Sequence, residues 1–188
     1  MKTTPTYMTM ESISPTPQPM TLSAVAVLDC TSSKKAKNEK VQGYVLFEER
    51  KDEKNRTFVL VSFHLKGFPK AHTRYAIHIH EFGDLRQGCE SLGGHFNPYH
   101  ATHGSPQQNR QKRHVGDLMN NLKTDAKKEF HSIYPDYSLR LSGKNSILGR
   151  SVVVHEGVDD LGQGGFPDSL KTGHAGKRMV CGIIGRTL

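Results

Sequence analysis

The sequence predicts an all-β domain of about eight strands carrying two long functional loops. Three observations carry that prediction. Short apolar and polar alternation recurs along the chain, the segments between these stretches are very unequal in length, and no stretch holds a helical period. The composition agrees: hydrophobic residues make up 35%, there are 18 glycines, and Trp is absent. A chain of 188 residues is long enough to bury one core.

The elements follow in order. Residues 1–21 show no period and are rich in Met, Pro, Ser and Thr, so they read as a disordered N-terminal tail ahead of a domain spanning 22–188. The first strand is expected over Leu22 to Asp29. Gln42 to Glu48 and Thr57 to Lys66 come next, separated by the mixed-charge run Glu48 to Arg56, which reads as a solvated hairpin end. Tyr75 to Phe82 is the fourth. Gly116 to Lys123, Glu129 to Tyr134 with Tyr137 to Leu141, Ser151 to His155 and Met179 to Ile184 complete the set. Gly83 to Arg113 and Glu156 to Arg178 are rich in Gly, His, Pro and polar residues, and structureless segments of that length in a compact domain are usually functional.

The formal charge of +8 suits nucleic acid, an anionic membrane surface or a small anionic substrate, because a net field steers counter-charged partners. No basic motif interleaved with aromatics supports nucleic acid, and the apolar runs are too short to span a bilayer. The N-terminus has no apolar stretch of the kind a secretory signal needs, which predicts a cytoplasmic protein. Three cysteines, Cys30, Cys89 and Cys181, allow one bridge and one free thiol.

The eleven histidines are more informative by placement than by number. In Tyr-Ala-Ile-His-Ile-His-Glu a strand puts His78 and His80 on one face and Ile77 and Ile79 on the other. The first long loop adds His95, His100, His103 and His114, Asp117 follows three residues later, and His155 ends a distant strand. Imidazoles with one carboxylate suit zinc, and an all-imidazole set suits copper. An isolated His-x-His is weak evidence, because a lone strand histidine is more often structural. Taken together these residues point to a binuclear metal site.

Six stretches resemble the copper/zinc superoxide dismutase family. They are His-Ile-His-Glu-Phe-Gly-Asp at 78–84, Gly-Gly-His-Phe-Asn-Pro at 93–98, Arg-His-Val-Gly-Asp-Leu at 113–118, Gly-Arg-Ser-Val-Val-Val-His-Glu at 149–156, Asp-Asp-Leu-Gly-Gln-Gly-Gly at 159–165, and Lys-Thr-Gly-His-Ala-Gly-Lys-Arg-Met-Val-Cys-Gly at 171–182. The resemblance covers Leu22 to Leu188 and implies an eight-stranded antiparallel Greek-key barrel or sandwich. It implies one copper and one zinc ion per subunit. Copper would be held by His78, His80, His95 and His155, and zinc by His95, His103, His114 and Asp117, with His95 bridging the two. Asp159 would accept hydrogen bonds from His78 and His103.

The implied activity is dismutation of superoxide to oxygen and hydrogen peroxide, an oxidoreductase reaction serving antioxidant defence. Copper would cycle, His95 would carry a proton, Arg178 would anchor the anion, and Lys171 with Arg178 would steer it. Cys89 and Cys181 would form the family's disulfide, leaving Cys30 free. The family's two-fold dimer would use Val25, Val27, Phe82, Gly83, Ile147, Leu148, Gly149, Ile183 and Ile184. The resemblance also admits a copper chaperone as a partner, and a virion location were the source viral. Two rival readings, an inactive binding protein and a copper-chaperone domain, normally lack part of the copper set or the arginine. This chain has every metal residue and Arg178. It departs from the family pattern at Ala76, Met119, Gly157 and His174, and in two extra residues between His103 and His114.

Overall fold

The computed structural model describes residues 22–29, 41–109 and 111–187. The expected tail, residues 1–21, and Cys30 lie outside the described residues. Nine strands are present among them: β1 Ser23–Leu28, β2 Gln42–Lys51, β3 Thr57–Lys66, β4 Arg74–His80, β5 Arg86–Cys89, β6 Asn120–Lys123, β7 Phe130–Asp136, β8 Ser151–His155 and β9 Arg178–Arg186. All but β5 form one eight-stranded antiparallel sheet in the order β6-β4-β8-β9-β1-β2-β3-β7, curled into a nearly closed barrel. β3 pairs with β7 and not with β4. The chain therefore crosses the barrel between β3 and β4, and β4 lies between β6 and β8.

The core follows from the period of two. Ala24, Ala26 and Leu28 of β1, Val45 and Phe47 of β2, and Val59, Val61, Phe63 and Leu65 of β3 all point inward. Tyr75, Ile77 and Ile79 of β4, Val152 and Val154 of β8, and Val180 and Ile184 of β9 complete the far wall. Alternating faces normally alternate burial, but β4 from Tyr75 onward and all of β8 are buried on both faces. The cause is that the two long loops fold back over the outer side of these strands.

That covering has its own small apolar cluster, in which Leu92, Val153 and Cys181 are buried and Cys89 packs against them. The disulfide Cys89–Cys181 ties the first loop to β9. Glu81 N donates to Gly94 O and Phe82 N to Leu92 O, both at 2.9 Å, so the chain after His80 pairs with its own loop and β4 stops short of Phe82. The strand expected over Gly116 to Lys123 begins only at Asn120. Ahead of it, Gly116 exchanges backbone bonds with Phe96 and Ile79, and Asp117 turns its side chain into the site described below. Tyr137 to Leu141 does not continue β7, because the Asp136 carboxylate accepts from Ser138 N and Leu139 N and turns the chain. The loops also hold short elements that the sequence pattern did not show: β5, a 3-10 turn at Glu90–Leu92, and the one-turn helix α1, Ser169–Thr172.

No helix among the described residues is long and apolar enough to cross a membrane. Of the residues expected at a dimer contact, Val27, Phe82 and Ile183 are exposed, while Ile147 and Ile184 are buried in the core. The cross-link makes a direct prediction. Protein denatured without reductant should offer one alkylatable thiol per chain by mass spectrometry, and three after reduction. Three in both samples would contradict the bridge.

Candidate metal centre

The site is built on the outer face of neighbouring strands. Alternation sends Ile77 and Ile79 inward and His78 and His80 outward, and His155 shares their face at the end of β8. The first loop and its continuation supply His95, His103, His114 and Asp117, and the second loop supplies Asp159. All eight side chains are buried. His103 N donates to Leu170 O at 2.8 Å, which ties one loop to the other above the site.

Hydrogen bonds decide which nitrogen of each ring carries a proton. His78 donates from Nε2 to Asp159 Oδ2 at 2.6 Å, His80 from Nδ1 to Gly93 O at 3.0 Å, and His155 from Nδ1 to Gly176 O at 3.2 Å. These oxygens only accept, so the opposite nitrogen of each neutral ring presents a lone pair. His80 Nε2 and His155 Nε2 lie 3.2 Å apart, and neither His78 Nδ1 nor His95 Nε2 has a partner among the described residues. His78, His80, His95 and His155 thus form a group whose ligand atoms lie within 4.8 Å of one another. Converging buried lone pairs are unfavourable unless a cation sits between them.

The second group converges on one oxygen. His95 Nδ1, His103 Nδ1 and His114 Nδ1 lie 3.0, 2.9 and 3.2 Å from Asp117 Oδ1. His103 donates from Nε2 to Asp159 Oδ1 at 2.9 Å and His114 from Nε2 to Ala101 O at 3.1 Å. Their Nδ1 atoms therefore face a carboxylate oxygen, an arrangement that requires positive charge between them. Tetrahedral zinc with bonds of about 2.0–2.2 Å spaces its ligand atoms about 3.3 Å apart, close to the spacings seen here. By distance alone a group also forms from His78, His95, His103 and Asp117. His114 fits better than His78, because its Nδ1 lies 3.2 Å from the shared Asp117 Oδ1, whereas the open Nδ1 of His78 also belongs to the four-imidazole group. Three imidazoles and a carboxylate suit zinc, four imidazoles suit copper, and His95 turns one ring nitrogen toward each set.

Burial dominates the electrostatics of the copper-type set. It lowers His78 to about 4 despite the Asp159 bond, His95 to about 3 and His155 to about 4, and it depresses His80 strongly. Burial also acts on His103, but bonds to Asp117 and Asp159 outweigh it and raise the pKa to about 9. Asp159 resists its own burial through bonds from His103 and His78 and falls to about 2. Asp117 is held well below the ordinary value by His103, His114 and His95, again against burial.

Other residues hold these groups in place. Asn121 grips the Asp159 backbone at both ends, donating from Nδ2 to Asp159 O and accepting from Asp159 N, each at 2.9 Å. Gly173 has φ +66°, and a side chain there would strike Asp159 and His103. Neither Asn121 nor the carbonyls of Gly93, Ala101 and Gly176 was found from the sequence. Backbone acceptors carry no side-chain signal, and an asparagine on a strand looks ordinary. The adjacent Asp160 serves a local turn, accepting from Gly162 N and Ser169 Oγ.

Arg178 opens β9 with its guanidinium bonded to the carbonyls of Cys89, Glu90 and Gly93. Gly93 O is the same oxygen that holds His80. Lys171 lies exposed on α1, outside the donor groups. The extra residues between His103 and His114 fall in the region of an exposed turn, where Gln108 N bonds Ser105 O at 2.9 Å, and Arg113 bonds Pro106 O at 2.9 Å. Both flanking histidines still reach Asp117. His174 stacks on Phe166 at 3.8 Å and bonds Asp168 at 2.8 Å.

Barrel and donor groups together define an all-β metalloprotein with a buried two-centre histidine site. The chain belongs to the copper/zinc superoxide dismutase family, whose model, described as copper/zinc superoxide dismutase (SODC), matches residues 41–184. It is 48% identical over 151 residues to superoxide dismutase (Cu-Zn) of Yarrowia lipolytica, covering 80% of this chain and 93% of that one. It is 47% identical over 148 residues to superoxide dismutase (Cu-Zn) of Saccharomyces cerevisiae, covering 78% and 91%. The crystal structure of the clock protein EA4 superposes with a TM-score of 0.74 at 39% identity, covering 87% of this chain and 93% of that one.

These pKa values set a pH profile for the metal-free protein. His78, His95 and His155 lie below the ordinary 6.5, so the unfolded chain binds protons that the folded chain refuses, and stability falls as pH drops from about 6.5 through 4. His103 acts oppositely. Its contribution is full below 6.5 and is lost as pH rises through 9. The urea midpoint of the metal-free protein should therefore peak near neutrality and fall on both sides. A midpoint unchanged from pH 7 to pH 4 would contradict the assignment of these neutral rings.

Proposed function

We propose that the chain converts two superoxide anions and two protons into one oxygen molecule and one hydrogen peroxide. The convergence of unpartnered imidazole nitrogens beside the anchored Arg178 carries this reading. His78, His80, His95 and His155 would hold copper; His95, His103, His114 and Asp117 would hold zinc. Copper would supply the one-electron couple and zinc the structural charge, since zinc has no accessible second oxidation state. One superoxide is oxidised to oxygen and a second is reduced to peroxide. His95 Nε2, which has no hydrogen-bond partner among the described residues, would serve alternately as donor atom and as carrier of one of the two protons that the peroxide takes up, solvent supplying the other. Asp159 grips His78 and His103 together and keeps both rings oriented.

Arg178 positions the anion. Its carbonyl contacts use Nη1 and one Nη2 hydrogen, which leaves Nε–H and a second Nη2–H for a substrate oxygen. Lys171 adds to the attractive field at the exposed second loop. The catalytic domain spans 22–188 in this reading and works in the cytoplasm. It pairs two-fold through the exposed Val27, Phe82 and Ile183 with Val25, Gly83, Leu148 and Gly149, and receives its copper from a chaperone.

Two measurements test this. Protein reconstituted with both metals should carry one copper and one zinc per chain by elemental analysis, and superoxide decay should scale with its copper content. Metal-replete protein with no effect on superoxide decay would refute the reading. Second, raising ionic strength toward 0.1 M shortens the screening length to about 10 Å and should slow turnover. Arg178→Glu should be slower than Arg178→Ala, and Arg178→Lys the fastest of the three. Rates that rise with salt, or an Arg178→Glu variant as fast as wild type, would exclude steering by this residue.

A further inference from the structure

Six of the eleven histidines belong to the buried centre, which leaves His64, His72, His100, His131 and His174. His72 and His100 sit at exposed positions with left-handed backbone, and His174 is held by Asp168 and Phe166. His64 and His131 differ from these because they face each other. They are direct partners in the β3–β7 ladder, with ring centroids 5.5 Å apart, on the solvent side of the barrel and on strands that carry none of the buried donors.

Directly opposed antiparallel residues have Cβ atoms about 4.5–5.5 Å apart, close enough for two imidazoles to reach one ion from neighbouring strands. The pair is also supported from both sides. Tyr44, the partner of His64 on β2, stacks on its ring at 4.7 Å and limits its swing. Glu129 Oε2 lies 3.3 Å from His131 Nε2. His64 is exposed, the His131 side chain is 55% exposed and Glu129 34%, so all three donors are open to solvent, and rotation of His131 and Glu129 toward the held His64 ring brings them together.

We propose that His64, His131 and Glu129 form a surface site for a divalent transition-metal cation, separate from the buried pair of sites. Two imidazoles and a carboxylate make a borderline donor set, and among divalent first-row ions copper binds such a set most tightly. The site takes Cu(II) in preference to zinc, on a rigid two-strand platform. Its occupancy depends on neither the dismutase reading nor the buried ligands.

The test starts from protein already filled with copper and zinc. Equilibrium dialysis against Cu(II) should give one further equivalent per chain, and paramagnetic broadening should fall on the ring signals of His64 and His131. His64→Ala and His131→Ala should each lose that equivalent at a Cu(II) concentration that saturates wild type, and Glu129→Gln should weaken it. All three positions are solvent-facing, and unchanged superoxide decay in each variant checks that the fold is intact. His72→Ala should keep the equivalent. No additional copper in wild type would overturn the proposal. So would an additional equivalent that survives both His64→Ala and His131→Ala.

Discussion

Asp117 Oδ1 is the atom on which the site's arrangement turns. Three imidazole nitrogens, from His95, His103 and His114, approach it within 3.2 Å in a buried setting. An anionic oxygen surrounded by lone pairs has no stable form in low dielectric without positive charge. In the metal-free chain, bonds to Asp117 and Asp159 outweigh burial and raise His103 to about 9, so its protonated ring supplies that charge, while burial lowers His95 to about 3.

The remaining structure serves to hold that charge distribution in place. Asp159 bonds His78 on one side and His103 on the other, so a single carboxylate couples the two donor groups. Asn121 in turn holds Asp159 through its backbone, and Asn121 is itself fixed in register opposite Ala76 by the β4–β6 ladder. A displacement of any one of these would misorient rings several residues away. The loops must also stay closed, and the Cys89–Cys181 bridge, the Leu92 cluster and the His103–Leu170 backbone bond all act on that closure.

Gly93 O links the metal donors to the cationic side chain. It accepts from His80 Nδ1 and from Arg178, so the carbonyl that sets a copper-type ligand's tautomer also sets the guanidinium's position. Burial weakens the charged form of Arg178, and neighbouring Glu90 offsets part of that. The guanidinium thereby sits beside a ring whose Nε2 faces the donor group.

Much of the fold was legible in the residues. Alternation in Tyr75 to His80 by itself placed both histidines opposite Ile77 and Ile79, because a period of two is a property of the strand backbone. The eight-strand sheet and the Cys89–Cys181 pairing followed from pattern and resemblance, and both are present. Strand ends were less legible, since His80 and Asn120 mark points where a loop captures the backbone hydrogen bonds that would otherwise extend the ladder. The sequence alone determined which side chains can act as donors and which of them share a strand face, because composition and periodicity are local. Tertiary structure decided which ring nitrogen faces inward at each histidine. That choice belongs to the carbonyls of Gly93, Ala101 and Gly176 and to the two oxygens of Asp159, partners up to 81 residues away that no local pattern announces.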